Sequence, residues 1–344
     1  MPTTVTKTIG ATSSPTTPDY TSLASWIAAC PANLVTADEI WEGQCLDQGE
    51  FTGASTLLTI SGITTDSTRF VRLTCASGAS FNSKAGVRTT ALNYNASNGV
   101  AIRSTSGNYD TCIVNNVNYT QFVGLQIASE ATHGQTIDAP NTNTTVDGCI
   151  VKGKSDSAPA IRVGTVKNSL LIVTSSREPL RVTNDGGDGT QQVLDCTLVF
   201  PSGGSGASAI FSQYGNLTIK GCAVFGFTTF KSGGATNSGS GFNATDLGTA
   251  FGSSNQTSLT AASQFTSFAN DFRADSGGSL PNNGTPISGI TTDISLTTRS
   301  VTTPTIGCWE VTSSPPSGRL SRASSLDGLG GSGQQAFNPS LAGV

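Results

Sequence analysis

Five short runs in the middle of this 344-residue chain are versions of one pattern: Phe122-Val-Gly-Leu-Gln-Ile127, Val146-Asp-Gly-Cys-Ile-Val151, Val166-Lys-Asn-Ser-Leu-Leu171, Val193-Leu-Asp-Cys-Thr-Leu198 and Ile219-Lys-Gly-Cys-Ala-Val224. Each reads apolar, variable, Gly/Asn/Asp, small or apolar, variable, apolar, and their first residues stand 24, 20, 27 and 26 positions apart. A strand-like unit this short cannot bury a core alone; it does so by stacking on its neighbours as one coil of a solenoid. The pattern predicts a parallel β-helix with one coil per repeat. A leucine-rich repeat is excluded by the missing Leu ladder, and a propeller blade needs about 40 residues.

Composition agrees with stacked strands and tight corners. Charged residues are 12% of the chain, low for a soluble domain, while Gly reaches 40 residues. The apolar residues fall into periodic runs, which argues against disorder throughout. With a net charge of −4 and no basic stripe, nucleic acid is not an expected partner. The apolar runs are too short to span a bilayer, so no membrane partner is expected either. Met1-Pro-Thr-Thr-Val-Thr-Lys7 has neither a basic n-region nor an apolar h-region. Synthesis in the cytoplasm is expected, with exit only as part of an assembly.

Of the eight cysteines, Cys149, Cys196 and Cys222 take one slot of the repeat, where Leu125 and Ser169 stand in the other copies. An inward stack of small, reduced, buried thiols is predicted. Zinc is disfavoured because no Cys-x-x-Cys pair occurs and His133, read as a surface histidine, is the only histidine. No metal or other cofactor is expected.

Three regions are predicted. Residues 1–20, rich in Thr, Ser and Pro, read as an extended arm. Residues 21–310 read as the solenoid, opened by an amphipathic helix with Leu23, Trp26, Ile27 and Cys30 on one face, a candidate lid for the open end of the core. Strands follow at Glu39–Cys45 and Phe70–Cys75. The 52 residues from Phe70 to Phe122 leave room for two coils. A second strand family comprises Ala101-Ile-Arg-Ser104, Ala160-Ile-Arg-Val163, Pro179-Leu-Arg-Val182 and Ala209-Ile-Phe-Ser212. Phe265, Phe268 and Phe272 are candidates to close the far end. Residues 311–344, rich in Ser, Gly and Pro, read as an extended tail that cannot fold alone.

Several segments carry a resemblance. Asp19-Tyr-Thr-Ser-Leu-Ala-Ser-Trp26, Ala32-Asn-Leu-Val-Thr-Ala-Asp-Glu-Ile-Trp-Glu42 and Ala91-Leu-Asn-Tyr-Asn-Ala-Ser-Asn-Gly-Val-Ala-Ile-Arg103 resemble right-handed β-helix proteins of tailed bacteriophages. Asp271-Phe-Arg273 through Ile306-Gly-Cys-Trp-Glu310 is similar to the closing signature of such domains, although its middle element, Ser276-Gly-Gly-Ser-Leu-Pro281, is degenerate and Thr305 replaces an Asp. The likeness spans about residues 19–310 and implies an all-β, right-handed parallel β-helix with a role at a virion surface. Solenoids of this kind also serve as polysaccharide lyases and adhesins.

A lyase or hydrolase needs carboxylates converging on one face with a basic partner. The densest acidic stretch, Asp38, Glu39, Glu42, Asp47 and Glu50, reads as surface carboxylates near the lid without a partner base. Asp185 and Asp188 lie in the corner Asn184-Asp-Gly-Gly-Asp-Gly189, which lacks the full calcium nonapeptide and reads as a Gly-rich turn. Arg103, Arg162 and Arg181 share a slot in the second strand family and form a candidate basic ladder. Like charges at strand spacing repel, so an anion or acidic neighbour is expected between them. No Ser-His-Asp arrangement or phosphate-binding loop is evident.

The expected function is therefore structural and not enzymatic: a bacteriophage capsid decoration, cement or surface-fibre subunit. Expected partners are further copies of the chain, as a homotrimer, phage capsid or tail proteins, and surface glycans. The alternative is a carbohydrate-active tailspike or glycan-binding adhesin. Leu320, Leu326, Leu329, Phe337 and Leu341 are candidate anchors by which the tail docks on a neighbour.

Overall fold

Phe122, Val146, Val166, Val193 and Ile219 stand in one register on successive parallel strands. Ile127, Val151, Leu171, Leu198 and Val224 do the same on the next sheet. All ten side chains are at most 1% exposed, so both apolar slots of the repeat point into one core. The computed structural model describes residues 1–11, 17–140, 143–154, 160–174, 180–182, 190–203, 207–212, 215–237 and 239–312. Its parallel sheets contain nine, eight and seven strands, here called sheets 1, 2 and 3. A representative coil runs through Thr145–Asp147 in sheet 1, Ile150–Gly153 in sheet 2 and Ile161–Val163 in sheet 3, then re-enters sheet 1 at Thr165–Lys167. The chain is thus an all-β parallel solenoid through this region.

The third slot of the repeat makes the corner between sheets 1 and 2. Gly124, Gly148, Asn168, Asp195 and Gly221 have φ of 66°, 62°, 51°, 48° and 69°. A left-handed residue is needed to turn the chain there, and Gly, Asn and Asp tolerate that conformation best. The next slot, Leu125, Cys149, Ser169, Cys196 and Cys222, is fully buried, and all eight cysteines are free thiols.

Three expectations need correction. Leu73 pairs directly with Phe122, so the interval before the repeats is one coil with a long excursion over residues 76–100, not two coils. The extended arm expected over residues 1–20 does not lie wholly outside the solenoid: Thr3–Ile9 pairs along its whole length with Glu39–Cys45 as the outermost strand of sheet 1. The helix over Leu23–Ala28 does form, capped reciprocally by Ser22 and Ser25, with Leu23 and Trp26 buried. Its Trp26 indole lies so close to Gly43 that a Cβ there would stand 2.6 Å from the ring.

The third correction concerns Phe265, Phe268 and Phe272. They form part of a flap, residues 261–311, packed on the outer face of sheet 2. The flap contributes Phe265, Phe272, Leu280, Ile294, Ile306 and Trp309 to a second core with Ile150, Leu170, Ile172, Val199 and Phe225 of the sheet. Phe225 meets Phe265 edge-on, with ring centroids 5.2 Å apart. Phe81 and Leu92 of the 76–100 excursion join the same cluster. The physical reason lies in strands such as Leu170–Val173, buried at every position: a strand apolar on both faces needs cover on both. Among the described residues, no helix is long and apolar enough to cross a membrane.

Candidate functional site

The outer face of sheet 2 changes character along the stack. Thr52, Arg103, Ala128, Lys152, Ile172, Val199 and Phe225 occupy one outward row on successive strands. The apolar end of this row lies under the flap. At the polar end, Ala128 is a small residue between two long ones, which leaves a notch between Arg103 and Lys152. Strands about 4.8 Å apart place these two side chains two rungs from each other. The resulting cleft has a volume of about 430 Å³. Ala128 and Ser129 make its floor, Tyr94 and Ala96 of the excursion one wall, and Lys152, Lys154 and Thr174 the opposite one.

One wall is tightly organised. Arg103 donates from Nε to Glu50 Oε1 at 2.8 Å and from Nη2 to Glu50 Oε2 at 2.7 Å, a bidentate clamp. Its Nη1 reaches Glu130 Oε1 at 2.5 Å, and Tyr94 Oη donates to Glu50 Oε1 at 2.5 Å. Burial pushes the Glu50 carboxyl up, but the hydrogen bonds from Arg103 and Tyr94 and the guanidinium charge outweigh it and hold the group below its ordinary range. Burial and the adjoining Glu50 raise the Tyr94 phenol. Glu50 is therefore a locked carboxylate, and Tyr94 keeps its proton.

The opposite wall carries two lysines. Among the described residues, neither Lys152 Nζ nor Lys154 Nζ has a carboxylate within ion-pair distance. Among the described residues, the cleft thus sets two ammonium groups without a carboxylate partner across from carboxylates already engaged. Such a surface suits a ligand with an anionic group and several hydroxyls, which the remaining carboxylate lone pairs accept from.

The expected basic ladder is broken up. Arg162 and Arg181 do pair on adjacent strands of sheet 3, but Arg103 belongs to sheet 2. Arg162 donates to Asp138 Oδ1 at 2.6 Å, and Arg181 lies over the Phe211 ring at 4.7 Å. The acidic stretch also differs from expectation, because most of its members have a basic partner. Asp38 meets Arg69 at 2.7 Å, Glu42 meets Arg72 at 3.0 Å, Asp47 meets Lys84, and Glu50 holds Arg103. Sequence reasoning placed Glu50 near the lid without a partner base and missed Tyr94, Glu130, Lys152 and Lys154. The available signal was the mixture of Glu130, Lys152 and Lys154 within two adjacent repeats.

His133 stacks on Tyr109 at 4.7 Å between ring centroids. Asp185, Asp188, Leu320, Leu326, Leu329, Phe337 and Leu341 lie outside the described residues. Among the described residues, no group of three or more His, Cys, Asp or Glu side chains is arranged to hold a metal ion. No family model matches this chain, and no curated protein or solved structure matches it either.

Proposed function

We propose that this chain is a structural subunit of a bacteriophage particle, displayed at the virion surface as a decoration, cement or fibre component. The observation that carries the reading is the continuity of sheet 1, in which parallel pairing runs from Thr3–Ile9 to Thr236–Asn237. Coils stacked in one register present their side faces at fixed spacing, which suits repeated contacts with other subunits. The likeness of residues 19–310 to phage β-helix proteins supports the same reading. Parallel strands joined through a crossover in one sheet wind right-handed in nearly all cases, so we infer a right-handed coil. With Trp26 packed on Gly43, the helix Leu23–Ala28 acts as the lid of the first coil.

In this reading the side faces of the coils associate as a trimer, and residues 311–344 dock on a neighbouring subunit. Mass-spectrometric copy number in purified particles, with light scattering of the isolated protein, tests it. Stoichiometric incorporation and a trimeric mass are expected. Absence from particles, or a monomer at all concentrations, overturns the reading.

A second reading, glycan attachment, is favoured by the cleft at Ala128. With Glu50 held by Arg103 and Tyr94, this reading takes the cleft to recognise an acidic saccharide through Lys152 and Lys154 and not to cleave it. Calorimetric titration with an oligogalacturonate and a neutral glucan oligomer is the test. Binding of the acidic oligomer alone, lost in Lys152→Gln/Lys154→Gln, is expected. Equal binding of both oligomers, or release of shorter products, contradicts it.

A further inference from the structure

The flap is tied to the solenoid by a group of buried carboxylates, one of which is left without a close partner. Asp195, Asp293 and Glu310 are 1%, 0% and 5% exposed, and they share two guanidiniums, those of Arg299 and Arg88. Asp293 is fully satisfied: its Oδ1 accepts from Ser295 and Thr297, and its Oδ2 accepts from Arg88 Nη1 at 2.8 Å and the Glu310 peptide N–H at 2.8 Å. Glu310 accepts from the peptide N–H groups of Ser300 and Thr305 and stands 3.5 Å from Arg299 Nη1. Asp195 is the least satisfied of the three. Its Oδ2 is 3.8 Å from Arg299 Nε, and both of these atoms are buried without a hydrogen-bond partner.

Asp195 stands on the left-handed corner of the solenoid, whereas Arg299 and Glu310 belong to the flap. The other charged group acting on it, Lys220, lies on the next coil, and the neighbouring corners are the uncharged Asn168 and Gly221. The thiol of Cys196 follows it in the chain. Arg299 also reaches beyond the charges, donating from Nη2 to Gly307 O at 2.6 Å and to Asn168 Oδ1 at 3.3 Å. Above Asp195 and Arg299 the flap leaves a cleft of about 380 Å³ walled by Pro286, Ile287, Ile290, Val301 and Pro304.

We propose that the proton on Asp195 sets how tightly the flap closes on the solenoid, so that the flap is a pH-responsive latch. Of the three buried carboxylates Asp195 has the poorest set of partners, with an Oδ2 that accepts no hydrogen bond and a guanidinium no nearer than 3.8 Å, so it is the one that takes a proton. Burial pushes this carboxyl up to about 7, with Arg299 pulling it down and Glu310 pushing it further up. The closed flap therefore holds a proton that the opened, hydrated corner releases. Closure weakens as pH rises from the ordinary carboxylate range to about 7 and stays level above it. The latch is tight in acid and loose at neutral and alkaline pH.

Hydrogen exchange of the full chain between pH 5 and 9, corrected for intrinsic rates, tests this. Protection of residues 284–311 is expected to fall by up to about tenfold per pH unit to pH 7 and then level off. Inner-ladder amides such as Val193 and Ile219 serve as the control. In Asp195→Asn, a change with precedent at Asn168 on the preceding coil, the flap profile is expected to be flat. In Glu310→Gln it levels off at a lower pH, because a charge that raises Asp195 is gone. A flat wild-type profile, or an unchanged slope in Asp195→Asn, overturns the proposal. Should Asp195→Asn not fold, the Glu310→Gln profile decides, and an unmoved plateau overturns it.

Discussion

Arg162 and Arg181 sit side by side on neighbouring strands of sheet 3 and turn away from each other, Arg162 back to Asp138 and Arg181 forward over Phe211. Repulsion at strand spacing is relieved by dividing the pair between an acid one rung behind and a ring one rung ahead. Asp138→Asn removes one of these outlets. It is expected to lower stability by about 0.5–1 kcal/mol at low salt and by less at about 1 M salt, where the residual repulsion is screened. Urea melts at the two ionic strengths measure the difference. Equal losses at both would mean that charge is not the cause.

The corner between sheets 1 and 2 separates backbone strain from steric clash. Gly148, at φ 62°, has open space where a Cβ would stand, whereas a Cβ on Gly221, at φ 69°, would strike Asp195 Oδ1. Gly148→Ala is expected to cost about 1–2 kcal/mol, the strain of a left-handed alanine. Gly221→Ala should cost more because it also displaces Asp195. Chemical denaturation of the two variants compares them directly, and equal losses would show that the Asp195 side chain moves aside freely.

What was legible in the sequence is what repeats. Val146 and Val151 belong to ladders in which each residue meets its own kind on the next coil, so period alone placed them. The left-handed corner was visible for the same reason, as Gly, Asn or Asp in a fixed slot. Arg103 shows where this fails. Ala101-Ile-Arg103 and Ala160-Ile-Arg162 are the same tripeptide, yet they lie in different sheets, because three residues of likeness do not say which side of a coil a strand takes. The cleft was hidden because Tyr94 comes from the irregular excursion, whereas Glu50 comes from a coil that precedes the clear repeats.

Cysteine reactivity follows from burial. Cys149, Cys196 and Cys222 are fully buried, and the Cys149 thiol is pushed up to about 12, chiefly by loss of solvent. Even the half-buried Cys30 is pushed up to about 12, by burial and then by Glu39. Because the thiolate is the reactive form, iodoacetamide at pH 8 should modify the native protein slowly at the thiols that burial pushes up, and at Cys222 because its side chain is out of the reagent's reach. All eight should react once guanidinium unfolds the chain. Rapid native modification of Cys149, Cys196 or Cys222, read by peptide mass, would contradict their place in the core.

Leu170 and Leu171 are adjacent in one strand of sheet 2 and belong to different cores. Leu171 stacks between Val151 and Leu198 inside the solenoid, while Leu170 faces outward under the flap. Both are at most 1% exposed, so truncation of either to alanine is expected to cost about 2–5 kcal/mol, the range for a buried leucine. The losses should appear in different places. Leu171→Ala opens a cavity between coils and should weaken exchange protection along the inner ladder from Val151 to Val224. Leu170→Ala removes an anchor of Phe265, Phe272 and Trp309, and should release the flap amides while the inner ladder stays protected. Site-resolved hydrogen exchange on both variants distinguishes the two. If Leu170→Ala and Leu171→Ala lose protection in the same amides, the flap and the solenoid form one cooperative unit and the division into two cores fails.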